Sequence, residues 1–150
     1  MTSKKLLVLQ GLPASGKSTY AKKLLADYPA GYALRINNDE LATSMFGSSF
    51  GGGSNSSQLL RKLRTNLIRV AFKNGYQLVI MDNTNLATSE VRRLERLSKT
   101  LNVDFEINNS FLEVSIAECL LRNAERENPV PEKVILDMSR LSTKIKKKWR

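Results

Sequence analysis

The sequence predicts an α/β fold in which a parallel sheet of four to five strands is flanked by helices. Two observations predict it. Short apolar runs alternate with longer segments of helical periodicity along the chain, an order that calls for crossover connections and therefore parallel strands. A glycine-rich segment, Gly11 to Ser18, separates the first apolar run from the first helical one, as a tight strand-to-helix turn requires. Size and composition agree. The 150 residues suit one domain. With 41% hydrophobic and 25% charged residues, the chain can bury a core without cross-links.

The elements follow in order. Leu6 to Leu9 is an apolar run of strand length. Lys17 to Tyr28 carries Tyr20, Ala21, Leu24 and Leu25 at helical spacing and stops before Pro29. Tyr32 to Ile36 reads as a second strand, after which Asn38 or Asp39 caps a short helix ending near Phe46. Gly47 to Ser57, GSSFGGGSNSS, has the composition of a flexible loop. Gln58 to Asn74 places Leu59, Leu63, Leu67, Val70 and Ala71 on one face of a helix that Gly75 ends. Gln77 to Met81 is a third buried strand. Thr88 or Ser89 caps a helix bearing Val91, Leu94, Leu97 and Leu101, and Val103 to Ile107 is a fourth strand. Val114 to Arg126 is a helix capped by Ser115, and Pro131 opens a last one. The reading is one domain over residues 1–143, followed by a basic tail at 144–150.

Composition excludes several chemistries. There is no histidine, which removes histidine bases, histidine metal sites and the Ser-His-Asp and Cys-His mechanisms. A single cysteine, Cys119, allows no internal disulfide and no thiolate zinc cage. No apolar run reaches the roughly 18 residues of a membrane span, and Met1 to Gln10 reads as a strand, not a signal peptide. The cytoplasm is the expected location. The net charge is +10, half of it in the tail. Such a balance favours polyanions, nucleic acid above all. Trp149 in the tail could stack on a base or simply belong to a frayed terminus.

Gly11-Leu12-Pro13-Ala14-Ser15-Gly16-Lys17-Ser18 fits G-x-x-x-x-G-K-[ST], with Thr19 following. Its context, strand before and helix after, is the one this phosphate loop needs. Successive N–H groups and the helix dipole form an anion cradle. Lys17 then reaches the β- and γ-phosphates of a nucleoside triphosphate, and Ser18 holds Mg²⁺. The fold becomes a three-layer α/β/α P-loop NTPase. Ligands in such folds bind at the carboxyl ends of the strands, where two acidic clusters fall. Asp82 follows an apolar strand, as a carboxylate that holds Mg²⁺ does. Asp39 is placed either as a general base for an acceptor hydroxyl or as a helix cap. Asn83, Thr84 and Asn85 either orient substrate or form an Asx turn. Arg122 and Arg126, four apart, either close as a lid over the γ-phosphate or lie on a solvated face with Glu118 or Glu125.

Together these residues resemble the phage-type polynucleotide 5′-kinases of the P-loop kinase superfamily. The resemblance runs from Leu6 to about Arg140. It is carried by GLPASGKST, by INNDE (Ile36 to Glu40), by VIMDNTNL (Val79 to Leu86) with Arg92 and Arg93 after it, and by LLRNAER (Leu120 to Arg126) before Val130-Pro131. It implies ATP as donor, with Lys17 and Ser18 on triphosphate and metal. It implies Asp39 as general base, Arg126 and Arg122 in a helical lid, and Asp82 on the acceptor or metal side. The implied acceptor is a single-stranded or end-exposed polynucleotide, DNA or RNA. One position departs. Ala42 stands three residues after Asp39, where the family carries an arginine on the acceptor's phosphate; Arg35, Arg61 and Arg64 are the candidate replacements.

The leading expectation is an ATP- and Mg²⁺-dependent phosphotransferase acting on the 5′-hydroxyl of DNA or RNA. The rivals are a kinase of a hydroxymethyl pyrimidine within DNA, a small-molecule kinase for a nucleoside or sugar, and a P-loop nucleic-acid switch that only hydrolyses its nucleotide. A second subunit could pair with any helix face that the core leaves free.

Overall fold

A computed structural model describes residues 3–48 and 53–148. Its four parallel strands are β1 (Lys5–Leu9), β2 (Ala33–Ile36), β3 (Leu78–Asp82) and β4 (Asp104–Asn108), in the order β2-β3-β1-β4. The two most apolar runs, LLVL and LVIM, occupy the two central positions, where a parallel strand is covered on both faces. β4, reading DFEIN, is an edge and largely exposed.

The pleat divides the core. Leu6, Val8, Ile36, Val79 and Met81 face one layer, built by α3 (Gly53–Lys73) and α4 (Thr88–Leu101) through Ile68, Phe72, Leu94 and Leu97. Leu7, Leu9, Leu78 and Ile80 face the other layer and meet α1 (Lys17–Ala26) through Ala21 and Leu24. A third cluster of Leu12, Leu86, Leu112, Cys119 and Ile135 joins the phosphate loop to α5 (Ile116–Ala124) and α6 (Glu132–Lys148). The short α2 (Asn38–Phe46) follows β2 directly.

Several local expectations are corrected. The cap of α2 is Asn37, whose side chain accepts from the Glu40 N–H, so Asn38 and Asp39 are already helical. The α4 cap is Ala87, with no side-chain bond, so neither Thr88 nor Ser89 serves. Ser115 does cap α5. That helix ends at Ala124, so Arg126 lies beyond it and does not share it with Arg122. On α3, Leu59 and Val70 do not share the buried face of Ala71 and Leu67 but are exposed, since the core side of the helix turns through Ile68 and Phe72 instead. The expected loop at Gly47–Ser57 is helical from Gly53 onward. Extending an existing helix avoids the nucleation cost, and that outweighs the poor propensity of Gly, Ser and Asn. Residues 49–52 of that segment lie outside the described residues. So do Trp149 and Arg150. The tail's Lys144 to Lys148 continue α6 as helix, and Ile145 packs against the third cluster, so this stretch is not frayed. Among the described residues, no helix is long and apolar enough to cross a membrane.

Leu94 is fully buried between α4 and the sheet, whereas Leu121 on α5 is 66% exposed. Leu94→Ala should cost about 3 kcal/mol in urea unfolding, and Leu121→Ala less than about 0.5 kcal/mol. Equal losses would contradict this layering.

Candidate active site

All four strands end on one side. The register pairs Leu9 with both Asp82 and Asn108, and Ile36 with Met81. The phosphate loop leaves β1 at this edge, with the Gly11 N–H donating to the Thr84 carbonyl at 3.1 Å. Gly11 tolerates no side chain, since a Cβ there would lie 2.7 Å from both Phe111 Cβ and Ser15 Oγ. Gly16 enters α1 at φ 102°, and Ala14 also adopts a left-handed conformation. No side chain caps α1, so its first N–H groups are available to an anion. The Lys17 ammonium folds onto the loop, donating to the Gly11 carbonyl (3.0 Å), the Leu12 carbonyl (2.7 Å) and Ser15 Oγ (3.3 Å). Burial pulls it from its ordinary 10.5 down to about 8, opposed chiefly by Asp82.

The strand ends are pinned by an arginine that sequence reasoning placed elsewhere. Arg35 on β2 and Asp82 on β3 both point to the α1 face, because their neighbours Ile36 and Met81 point to the other. Arg35 Nε donates to Asp82 Oδ2 at 2.7 Å, one terminal nitrogen to Glu40 Oε2 at 2.6 Å, and the other to Ser18 Oγ at 3.4 Å. Burial disfavours the guanidinium, but Glu40 and Asp82 more than compensate and raise its pKa. Two further bonds tie α2 to the same edge. Asn37 Nδ2 donates to the Asp82 carbonyl, and the Asn38 N–H to Asn83 Oδ1, each at 2.8 Å.

These elements enclose a pocket of about 690 Å³, a size that suits a nucleotide-sized ligand. It brings together Pro13, Ala14, Gly16, Lys17, Ser18 and Thr19 of the loop with Asp39, Asp82, Thr84, Arg122 and Arg126. Gly11, Ser15 and Asn85 are not in its lining. Asn85 is buried, and its amide donates to the carbonyls of Leu9 (2.7 Å) and Met81 (3.1 Å), so it braces the strand ends. Asn83, a candidate from the sequence, lines the pocket. So do Asn37 and Asn38, and Val130, Val134 and Met138 from and before α6; sequence reasoning missed these five as site residues. INNDE and DNTN carried a signal for the asparagines. The apolar wall had none, since its spacing is that of an ordinary core helix.

The residues fit a triphosphate and a divalent metal. Asp82 is 1% exposed, its Oδ1 has no hydrogen-bond partner among the described residues, and its Oδ2 shares the Arg35 guanidinium with the Ser18 hydroxyl. Among the described residues no cluster of three or more acidic or thiol ligands exists, so phosphate oxygens would complete any metal shell. Among the described residues Arg122 pairs only with exposed Glu118, at 3.0 Å, an i,i+4 contact worth about 0.5 kcal/mol or less. Arg126 makes no ion pair among the described residues. Both are therefore cheap to redirect toward an anion. Ala42 is buried in α2. Of the candidate replacement cations, Arg35 is engaged by Asp82 and Glu40, and Arg64 by Glu90 at 3.3 Å. Arg61 makes no ion pair among the described residues.

Removing Arg35 strands a buried carboxylate. Arg35→Met should destabilise by about 3 kcal/mol, and adding Asp82→Asn should recover part of that loss; strictly additive unfolding energies would contradict the pairing. Lys17 sets a second expectation. An anion favours the charged ammonium, so triphosphate affinity should be flat below pH 8 and fall above it, by up to about tenfold per unit. The folded protein binds fewer protons than the unfolded chain between about 8 and 10.5, so stability should rise with pH across that window. Titration calorimetry from pH 7 to 9.5 checks the first, and unchanged affinity throughout would contradict it.

Comparison with known proteins agrees with this geometry. The sequence pattern of an AAA-domain family matches residues 6–144. The L-seryl-tRNA(Sec) kinase of Methanococcus maripaludis is 31% identical over 137 residues, covering 89% of this chain and 50% of that protein. A protein of Autographa californica nuclear polyhedrosis virus named as a bifunctional polynucleotide kinase/RNA ligase is 32% identical over 142 residues, covering 87% of this chain and 19% of that protein. The chain thus spans half of the first relative and about a fifth of the second. A chain of the Pnkp1/Rnl/Hen1 RNA repair complex superposes with a TM-score of 0.76 at 20% identity, covering 99% of this chain and 47% of that one. The chain belongs to this AAA-domain family and has the P-loop kinase fold.

Proposed function

We propose that the domain transfers the γ-phosphoryl group of ATP to a hydroxyl carried by a polynucleotide, the 5′-hydroxyl end in first place. One observation carries the reading. The exposed Asp39 carboxylate, with no ion pair among the described residues, faces the pocket that also holds the phosphate loop, Arg122 and Arg126. The net charge of +10 favours a polyanionic acceptor. Both named relatives act, by their names, on nucleic acid.

The chain's own groups divide the work. The loop N–H groups and Lys17 hold the β- and γ-phosphates, the ammonium exchanging its carbonyl partners for phosphate oxygens. Ser18 and Asp82 would hold Mg²⁺, which when bound neutralises charge on those phosphates. Arg122 and Arg126 spread positive charge over the transferring group. Asp39 accepts the acceptor's proton as the hydroxyl oxygen bonds to phosphorus and the β,γ-bridging bond breaks. Val130, Val134 and Met138 offer an apolar wall to the base of the donor.

The seryl-tRNA kinase match favours a second reading, in which the hydroxyl belongs to a seryl group on tRNA. An acceptor panel separates the two. With γ-labelled ATP and Mg²⁺, a 5′-hydroxyl oligonucleotide should take up label. Label confined to seryl-tRNA would select the second reading, and label confined to an end-blocked oligonucleotide bearing a hydroxymethyl pyrimidine would select a base kinase. On the accepted substrate, Asp39→Asn should lower kcat about 100-fold or more with ATP affinity nearly unchanged. Turnover equal to wild type would leave Asp39 no part in the chemistry.

A further inference from the structure

We propose that the outer face of α3, with Lys4, is a second nucleic-acid site, which grips the phosphate backbone away from the reacting end. It takes from the proposed function only that the substrate is a polynucleotide.

The observation is a helix without acids. α3 contains Arg61, Lys62, Arg64, Arg69 and Lys73 in 21 residues and no Asp or Glu. Arg64 turns inward to Glu90. The other four make no ion pair among the described residues. On α4 and α5 cations meet acids: Arg93 pairs with Glu90 and Lys99 with Glu95 on α4, and Arg122 with Glu118 on α5. Lys62, Asn66, Arg69 and Lys73 fall on one stripe, turned away from the buried Arg64, Ile68 and Ala71. The stripe runs about 16 Å at the helical rise of ~1.5 Å per residue. Its lower end borders a cleft of about 620 Å³, which Lys4 and Leu101 help to line and which has no carboxylate in its wall. The Lys4 ammonium is fixed there, 2.8 Å from the Phe72 carbonyl.

Arg69 and Lys73, ~6 Å apart along the axis, repel one another within a Debye length of ~8 Å, and no acid on the same helix relieves them. A regular polyanion laid along the stripe does, one phosphate per cation. Exposed Val70, which also lines the cleft, offers an unstacked base an apolar contact. Location sets the consequence. Lys4 precedes β1 and the phosphate loop follows it, so the two sites stand about 20 Å apart, the length of six or seven strand residues. Only an acceptor of many nucleotides reaches both.

The test uses the full chain with Lys62, Arg69 and Lys73 changed to Gln, all three being exposed, and thermal unfolding to verify the fold. An end-blocked single-stranded 30-mer should bind wild type with a log K against log[salt] slope steeper by about 2 than the triple variant, since each single-strand contact contributes ~0.7. At low salt the variant should bind at least tenfold more weakly. If oligonucleotides are phosphorylated, KM for a 30-mer should rise toward that for a 4-mer, while kcat and the 4-mer KM stay unchanged. Equal 30-mer affinity and slope in variant and wild type would overturn the proposal. So would loss of binding on changing Lys144, Lys146 and Lys147 instead, or displacement of the 30-mer by poly-glutamate at equal charge, which would mark a site for an acidic protein. Because the 30-mer is end-blocked, failure of the kinase reading leaves this binding result standing, and labelling of a 4-mer by a variant that binds the 30-mer like wild type would sink the exosite alone.

Discussion

The site depends on a buried carboxylate that is held from two sides. Asp82 ends the central strand β3 with its side chain 1% exposed. An isolated carboxylate in that place would be costly. Arg35 supplies the counter-charge from β2, and its remaining nitrogens reach Glu40 on α2 and Ser18 on α1. One guanidinium therefore fixes the mutual position of a strand end, the first turn of the phosphate-loop helix and the helix that carries Asp39. The Asn37 and Asn38 bonds to Asp82 and Asn83 make the arrangement rigid.

The electrostatics follow from this frame. Lys17 is buried beside Asp82 and satisfied only by loop carbonyls and a hydroxyl, and burial lowers its pKa. The loop presents N–H groups from a helix start that no side chain caps. These groups are arranged around a negative charge that the protein itself does not provide. A triphosphate would supply it, the Lys17 ammonium giving up its loop carbonyls for phosphate oxygens. The arginines of the opposite wall are by contrast loosely held, and suit a group that closes over the donor after it binds.

How much of this was legible in the sequence follows from how local each feature is. The central strands were readable because double-sided burial leaves a continuous apolar run. The phosphate loop was readable because its conformation demands glycines at set places: Gly11 is hemmed in by Phe111 and Gly16 sits at φ 102°. The Arg35–Asp82 pair was not readable, since it joins residues 47 positions apart through a register that only the folded sheet defines. Asn37 rather than Asn38 or Asp39 caps α2, because the helix already begins at Asn38, the first of these two. Arg126 was expected on the same helix as Arg122; it leaves that helix yet still reaches the pocket, because the chain beyond α5 folds back over the loop, where Asn123 holds Val130 through two hydrogen bonds. The start of α3 was hidden by a Gly/Ser composition that the extension of an existing helix outweighs.

The central claim is that the phosphate loop and Asp39 serve one transfer reaction and not nucleotide hydrolysis alone. The most direct measurement is stoichiometric: the phosphoryl label appearing in the acceptor against the ADP formed, in one reaction with saturating 5′-hydroxyl oligonucleotide. The account predicts close to one label transferred per ADP. ADP accumulating with no labelled oligonucleotide or tRNA would contradict it and describe a nucleotide-hydrolysing switch.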